Sequence, residues 1–352
     1  MEFRRLGRSG VEVSVLCLGA MMFGDQTSEE EARSIVASAR EVGVNFIDTA
    51  DAYAGGESER IVGGAIASDR DRWVLATKVG TRLAPHGLAP HGLAPHDANR
   101  GGLSRKWLMR AIEDSLSRLR SDYVDIYFLH LDDPQTPLEE TIGALGDLVR
   151  SGKIRYWGVS NTRGWKIAEM MRLCGAMGVA PPVAAQPHYN IMNRMAETDY
   201  LPACAHYGIG VVPYSPLARG VLTGKYPPGG AVQDRETRAG RGDKRMMETE
   251  FRPESLALAK SIADQASAGG RTSIGFSLNW VLAHAHIHSV VTGPRTLSQW
   301  QSYLSGVAEG HRGEDEILVD GLVRPGHAST HGYSDPIHGV KQRPVRSPPC
   351  KA

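Results

Sequence analysis

The sequence predicts an α/β protein that folds as a (β/α)8 TIM barrel, with an N-terminal β-hairpin and extra helices and loops near the C-terminus. Counting from Val15, eight short apolar segments with strand character are each followed by helical sequence. Alternating strands and helices indicate a parallel sheet with right-handed crossovers, and eight such units indicate closure. An open doubly wound sheet is the alternative, but no Gly-x-Gly-x-x-Gly follows any early strand.

The first part of the chain begins with a hairpin and continues into strand–helix units. Residues 3–14 alternate loosely around two glycines, which is typical of a hairpin. Ser28 and Glu31 have capping-box spacing, so a helix is expected to begin there. The next units are predicted as a strand at 15–18, a strand at 44–48 with a helix at 57–67, and a strand at 73–78 with a helix at 104–119.

The second part repeats the same alternation. A strand at 123–129 leads to Thr136, Pro137 and Glu139, which suit a helix cap, a first-turn proline and a capping-box acid. Strands are then predicted at 153–159, 183–186, 209–213 and 288–292, and helices near 163–175, 198–207, 254–267, 271–284 and 296–307. Together they complete the eight units.

Residues 1–310 are predicted to form a single barrel domain, and residues 311–352 a partly irregular tail packed on or near it. Residues 83–97 repeat Gly-Leu-Ala-Pro-His in tandem, which indicates a flexible loop inside the barrel. Metal binding by its histidines, His86, His91 and His96, is the weaker alternative, because proline-rich coil does not pre-organise ligands. The long loop at 224–252 is expected to be a lid or binding loop.

The composition suggests a cytoplasmic protein without nucleic-acid or membrane partners. The chain has 352 residues, 40 basic and 39 acidic, and a formal charge of +1, which gives no attraction to polyanions. The four cysteines stand far apart and form no Cys-x-x-Cys pair, so neither a zinc site nor a disulfide framework is indicated, and reduced thiols are expected. No stretch of about 18 apolar residues predicts a membrane span, and no secretory signal is expected at the N-terminus.

Polar side chains stand at the predicted carboxyl ends of seven of the eight strands. In a barrel these ends share one rim, where the chemistry takes place. Asp48, Tyr53, Lys78 and His130 are therefore predicted to meet in one pocket. Each has an ordinary structural explanation: a buried helix cap, a surface aromatic, a simple ion pair and a core histidine. Their joint occurrence on one rim favours a catalytic site.

Such a group of side chains could transfer a proton to a carbonyl oxygen. A tyrosine has a pKa of about 10. An ammonium group about 4 Å away contributes roughly 4 kcal/mol at an effective dielectric of 20, or roughly three pKa units before offsets. We therefore expect Lys78 to lower the pKa of Tyr53, while Asp48 keeps Lys78 charged and cancels part of the gain.

Six stretches at these strand ends resemble the aldo-keto reductases over about residues 1–308. The resemblance implies a (β/α)8 barrel that binds NADPH without a Rossmann motif and reduces a carbonyl to an alcohol. The stretches are Asn45–Tyr53 (NFIDTADAY), Ala76–Gly80 (ATKVG), Asp122–His130 (DYVDIYFLH), Lys153–Asn161 (KIRYWGVSN), Pro213–Gly224 (PYSPLARGVLTG) and Gly293–Gln299 (GPRTLSQ).

The resemblance also implies a role for each matching residue. Tyr53 would donate the proton, Lys78 and Asp48 would support it, and His130 would orient the carbonyl oxygen. Arg295 would meet the 2′-phosphate, which favours NADPH/NADP+ over NADH. The remaining cofactor contacts would be Ser160, Asn161 and Gln186 to the carboxamide, Tyr214 stacked on the nicotinamide, and Ser215, Leu217, Gly220, Leu222, Gly293 and Gln299 along the rest of the cofactor.

Three departures from the family pattern concern cofactor and substrate fit. The repeat at 83–97 replaces an ordinary loop beside the substrate mouth. Tyr303 stands where an amide is common near the adenine, and Leu131 follows His130 where a polar residue is common. A small-molecule carbonyl is the expected substrate, and its identity and the oligomeric state are left open. Met21, Met22, Phe23 and Trp157 suggest an apolar pocket lining.

Two other functions compete with carbonyl reduction. One is a non-catalytic barrel that binds NADP(H) and senses redox state, as in channel-associated relatives. The other is a lyase that uses Lys78 to form a Schiff base. The intact set of four catalytic positions argues against the first, and the cofactor signature argues against the second.

Overall fold

A computed structural model describes residues 1–81, 99–230, 232, 234–235 and 237–330 of the chain. Eight parallel strands form one sheet. Their bounds are β3 Leu16–Gly19, β4 Phe46–Asp48, β5 Val74–Val79, β6 Val124–Leu129, β7 Ile154–Ser160, β8 Ala184–Gln186, β9 Gly210–Val211 and β10 Val290–Thr292. Their order across the sheet is β10-β3-β4-β5-β6-β7-β8-β9.

The two outer strands of this order meet and close the barrel. Parallel bridges join Val211 to Ile287 and Tyr214 to Val291, and the His288 amide donates to the Val211 carbonyl at 2.9 Å. Closure leaves no exposed sheet edge among these strands. The predicted α/β barrel is confirmed.

The N-terminal hairpin covers the amino ends of the barrel strands. It pairs β1 (Phe3–Arg5) with β2 (Glu12–Ser14) in antiparallel register. Leu6 is fully buried, and the Arg8 amide donates to the Gly208 carbonyl just before β9 at 2.8 Å. The carboxyl ends of the strands therefore remain available for a site.

Helices surround the sheet and bury their apolar faces against it. The amphipathic patterns predicted most of them to within one or two residues, and Ser28 caps α1 by accepting from the Glu31 amide. Their bounds are α1 Glu29–Glu41, α2 Glu57–Ile66, α3 Arg105–Leu119, α4 Leu138–Arg150, α5 Gly164–Met177, α6 Tyr200–Tyr207, α7 Lys244–Glu248, α8 Pro253–Ala268, α9 Ser273–Ala283, α10 Leu297–Val307 and α11 Gly313–Leu322.

Two apolar layers result, one inside the barrel and one between the strands and the helices. Cys17, Phe46 and Phe128 belong to the inner layer. Phe23 and Trp157 belong to the outer layer and are almost completely buried. The expectation that these two line a substrate pocket is therefore wrong, because both side chains are already used in the core.

The start of α4 differs from its predicted cap. The helix begins at Leu138 with Pro137 at the N-cap and no side-chain cap bond. Thr136 instead donates to Asp133 at 2.7 Å, and Asp133 also accepts from the Leu103 amide. The threonine is thus part of a loop network that ties two strand–helix connections together.

Between residues 311 and 330 the chain contains a helix, α11, that the sequence analysis did not predict. Helix α11 packs on α9 through buried Val319. Arg271 and Asp315 form a bidentate pair at 2.7 and 2.6 Å with both side chains almost fully buried. The loop at 224–252 also contains an unpredicted short helix, α7. Buried charge pairing, which hydrophobic periodicity does not report, holds α11 in place.

Some sequence predictions fall outside the described residues. The repeat at 83–97, with His86, His91 and His96, lies outside them, as does the tail from 331 to 352. Within the part of the chain that the structure describes, no three His, Cys, Asp or Glu side chains are grouped as metal ligands would be. In that same part, every helix is too short or too polar to cross a bilayer.

Candidate active site

Two adjacent strands place a buried ion pair at the centre of the rim. β4 and β5 are parallel with Asp48 opposite Ala76, so Lys78 lies two residues further along. The Lys78 Nζ atom is 2.5 Å from Asp48 Oδ2. The side chains are 0% and 3% exposed, so each charge depends on the other for its stability.

All three N–H groups of Lys78 have acceptors. Besides Asp48, the ammonium donates to the Thr49 carbonyl at 2.8 Å and to the Tyr53 hydroxyl oxygen at 3.3 Å. An ammonium has three donors and no acceptor. The Tyr53 oxygen therefore accepts from Lys78, which leaves the phenolic proton free to be donated elsewhere.

A strained turn carries Tyr53 back over the strand ends. In the 3₁₀ turn Tyr53–Gly56, Ala54 has a φ of 47° and Gly56 a φ of 94°. Arg118 of α3 packs against Gly56, where an added Cβ would lie 2.7 Å from its Cδ. The guanidinium is fixed in turn by Glu59, at 2.6 Å. Packing from α2 and α3 thus holds the turn.

His130 lies beside the phenol. It follows β6 directly, and its ring meets the Tyr53 ring edge-on, with centroids 5.8 Å apart and planes at 84°. The Thr81 hydroxyl is 3.5 Å from His130 Nδ1. The four side chains predicted to converge are therefore neighbours.

The electrostatics of the pocket set the pKa values of Tyr53 and Lys78. The enclosed surroundings raise the pKa of Tyr53 above its ordinary value, and Lys78 lowers it by less. Lys78 lowers the pKa of Tyr53, as expected, but the net shift is upward, because desolvation of the phenolate outweighs the ammonium. The pKa of Lys78 is raised: burial lowers it, but Asp48 and Tyr53 raise it further.

Asp51 is a further acid beside this pocket that the sequence did not indicate. Burial, together with the nearby Glu59 carboxylate, raises the pKa of Asp51 to about 8. Its amide donates to the Lys78 carbonyl at 3.2 Å. Asp51 is thus protonated at neutral pH, on the same strand-to-helix connection that carries Tyr53.

Ser160, Asn161 and Gln186 lie on the same rim. Gln186 donates from Nε2 to Asp48 Oδ1 at 3.0 Å, which fixes its amide and leaves Oε1 as an acceptor. Asn161 donates to the His130 carbonyl and to Ser160 Oγ at 2.9 and 3.0 Å. Its Oδ1 accepts from the Tyr214 hydroxyl at 2.9 Å. Asn161 therefore already braces His130 and Tyr214.

The turn after β9 contains the predicted Ser215, Leu217, Gly220 and Leu222. Ser215 and Gly220 have φ angles of 57° and 97°. The Leu217 carbonyl accepts from the amides of Gly220 and Leu222. Both leucine side chains are buried in the core. They shape the turn, and any contact they make with a cofactor would be through the backbone.

Gly293, Arg295 and Gln299 follow β10. Gln299 Oε1 accepts from the Arg295 amide at 2.9 Å and so fixes this loop. Burial and the nearby charges of Arg295 and Arg238 lower the pKa of Lys225. Among the described residues, none of these three cations is paired with a carboxylate. The sequence analysis missed Lys225 and Arg238, although Lys225 directly follows the PYSPLARGVLTG stretch.

Comparison of the sequence with known proteins gives one family match and several relatives that extend over most of the barrel. Residues 15–308 match the model of the Aldo/keto reductase family. A "Probable voltage-gated potassium channel subunit beta" of Arabidopsis thaliana is 35% identical over 316 residues, 87% of this chain and 91% of the relative. A rice protein (Oryza sativa subsp. japonica) with the same description is 34% identical over 83% of this chain and 87% of its own length.

A bacterial relative has an enzymatic name. A protein of Bacillus subtilis (strain 168) described as "Uncharacterized oxidoreductase YrpG" is 34% identical over 319 residues, 87% of this chain and 91% of the relative. The family match and these relatives each extend over most of the barrel. The chain therefore belongs to the aldo/keto reductase family, whose members include oxidoreductases.

Proposed function

We propose that the protein reduces an aldehyde or ketone to an alcohol, reversibly, with NADPH as the reductant. The observation that carries this proposal is the contact of Lys78 Nζ with both Asp48 and the Tyr53 hydroxyl oxygen. A phenol that accepts from an ammonium directs its own proton outward, as a general acid should.

The residues on the rim fit NADPH. Gln186 Oε1 suits the amide N–H of a nicotinamide carboxamide, and the Tyr214 ring suits its face. Lys225, Arg238 and Arg295 suit a phosphate, since close cations repel one another until an anion joins them. This cluster supports NADPH over NADH, and members of the family generally bind NAD(P)H.

The protein's own groups would then perform the proton transfer. Bound NADPH supplies the hydride that the carbonyl carbon receives. Tyr53 donates its proton to the carbonyl oxygen, and the charge left on the phenolate is stabilised by Lys78 and, through it, by Asp48. His130, edge-on to Tyr53, would donate to the same oxygen and hold it within reach.

Tyr53→Phe tests the proposal. We expect this variant to lose turnover of an aldehyde by a factor of 10² or more, because the acid is absent, while NADPH binds almost as before. Loss of NADPH absorbance with a panel of aldehydes, ketones and quinones measures turnover, and calorimetry measures binding. A variant that keeps most of its rate would contradict the assigned acid.

A second candidate is supported by the relatives described as potassium channel beta subunits. In this function the barrel binds NADP(H) and reports redox state to a partner without turning over a substrate. The same assay separates the two: tight NADPH binding with no turnover across the panel would favour the regulatory barrel. A cytoplasmic location remains a prediction, which the distribution of a tagged protein in cells would test.

A further inference from the structure

A buried polar layer lies behind Tyr214, outside the catalytic group. His188 follows β8 and Tyr214 follows β9, and a parallel bridge continues the strand register to pair them. Their rings stack with centroids 5.2 Å apart and planes at 13°. One face of the Tyr214 ring is therefore covered by His188.

Two asparagines fix the imidazole. Asn190 Oδ1 accepts from the amides of Met192 and Asn193, so its Nδ2 is the atom that faces His188, at 3.3 Å from Nε2. Asn193 Oδ1 accepts from the Met195 amide, so its Nδ2 faces His188 Nδ1 at 3.3 Å. The backbone thus sets both amide orientations, and with them the plane of the imidazole.

A buried carboxylate connects this layer to the turn after β9. Glu250 is 0% exposed; its Oε2 accepts from Arg219 Nε at 2.8 Å, and its Oε1 lies 3.5 Å from His188 Nε2. The amide nitrogen Nδ2 of Asn193 donates to Nδ1, so the imidazole proton is on Nε2, toward Glu250, and Nδ2 of Asn190 lies against Nε2 as a packing contact and not as a hydrogen bond. Asn190 also donates to the Ser215 carbonyl at 2.9 Å.

We infer that His188 is a positioning residue for the nicotinamide end of the cofactor, acting through Tyr214. The inference rests on the proposed NADPH-dependent function. The stacked imidazole sets the depth and tilt of the Tyr214 ring, and the Tyr214 hydroxyl bond to Asn161 carries that position to the carbonyl of His130. The ring that would carry the nicotinamide is thus held in the same network as the catalytic histidine.

The experiment compares NADPH with 2′-phospho-ADP-ribose, which keeps the phosphates and adenosine and lacks the nicotinamide. Calorimetry gives both Kd values for the wild type, His188→Leu and His188→Phe. Ring stacking has a strength that corresponds to roughly a two- to tenfold change in Kd. We expect His188→Leu to raise the Kd for NADPH by about that factor and to leave the Kd for the fragment unchanged. His188→Phe keeps a flat ring, so both of its Kd values should stay near those of the wild type.

Steady-state kinetics give a second readout. At saturating NADPH, His188→Leu should lower kcat for an aldehyde with little change in its KM, because the hydride donor is displaced and the carbonyl site is not. His206→Leu is the matched control, since this exposed histidine also touches a tyrosine ring, Tyr207. If the leucine variant unfolds, His188→Gln replaces it, because glutamine keeps polar groups but has no flat ring. The same rise in the Kd for NADPH and the same fall in kcat are expected of it.

The outcomes separate the two proposals. Suppose that the wild type binds NADPH and reduces an aldehyde. If His188→Leu then weakens the affinity for NADPH and for the fragment by the same factor, or changes neither affinity, the inference alone is overturned. Wild-type protein that fails to bind NADPH overturns both the inference and the proposed function.

Discussion

The properties of single residues in this site are set by their enclosure as much as by their neighbours. Lys78 keeps its charge although it is fully buried, because Asp48 and two oxygen atoms accept its three N–H groups. Tyr53 has the same ammonium as a neighbour, but its pKa is raised, because burial disfavours the phenolate more than the ammonium favours it. The Tyr53 hydroxyl is therefore protonated at neutral pH.

This pKa shift leads to a titration experiment. Since the pKa of Tyr53 lies above 10, the phenol stays protonated through neutral and mildly alkaline pH. We expect the tyrosinate absorbance of wild type minus Tyr53→Phe to stay at zero until the pH exceeds 10. The rate of carbonyl reduction should likewise show no decrease from this group below that pH. A tyrosinate signal near pH 7 would show that Lys78 dominates instead.

At the scale of the element, the turn between β4 and α2 has the most demanding backbone. It holds Tyr53 over the strand ends with Ala54, Gly55 and Gly56 all at positive φ. Arg118 is packed against Gly56 and is itself held by Glu59. The position of the phenol thus depends on helices α2 and α3, although the hydrogen bonds of Lys78 go to Asp48, Thr49 and Tyr53, which lie outside both helices.

Gly56→Ala tests this dependence. The new Cβ would meet Arg118 Cδ at 2.7 Å in a left-handed conformation, which alone costs about 1–3 kcal/mol. We expect a lower free energy of unfolding and, for a displacement of about 1 Å at Tyr53, a rate lower on the order of a hundredfold. Urea unfolding and aldehyde turnover measure the two effects.

Gly175→Ala provides the control. Gly175 lies on the exposed side of α5 with nothing within 4 Å of an added Cβ. This change should raise the free energy of unfolding by up to about 1 kcal/mol through helix propensity and leave turnover unchanged. Equal behaviour of the two variants would show that the turn tolerates a side chain at Gly56.

At the scale of the whole molecule, the residues after β10 pack along one side of the barrel. α11 is held by the buried Arg271–Asp315 pair, and the chain then returns to the β8 side, where the Ser329 amide donates to the Met192 carbonyl at 2.8 Å. Arg194 also donates to the Val323 carbonyl at 2.7 Å. These contacts place the C-terminal segment next to the layer that contains His188.

The Arg271–Asp315 pair makes stability depend on pH. Burial raises the pKa of Asp315, but the hydrogen bonds from Arg271 and from the Arg312 amide, together with the charge of Arg271, more than offset this, so the pKa of Asp315 in the folded protein lies below 3.8. A depressed pKa contributes stability above the unfolded value, and this contribution is lost as the pH falls through the folded value. Asp315→Asn should therefore lower the free energy of unfolding at neutral pH, by about 3 kcal/mol, and by less below pH 3.8.

Urea unfolding of the wild type and Asp315→Asn over a range of pH measures this difference. Asp264→Asn, in an exposed pair with Lys260, is the control and should change stability by no more than about 0.5 kcal/mol. A deficit in Asp315→Asn that stays constant across the range would mean that the carboxylate charge is not the cause.

The sequence by itself determined the barrel, its strand ends and the four side chains that meet at the rim: Asp48, Tyr53, Lys78 and His130. Strand–helix alternation and capping signals are local, and a parallel barrel brings strand ends together by topology alone, so no coordinates were needed for Asp48, Lys78 or His130. Only the tertiary structure decided the sign of the Tyr53 pKa shift, the partnership of His188 with Glu250, the cation cluster around Lys225 and the docking of α11. These depend on burial and on contacts between residues far apart in the chain, for which hydrophobic periodicity carries no signal.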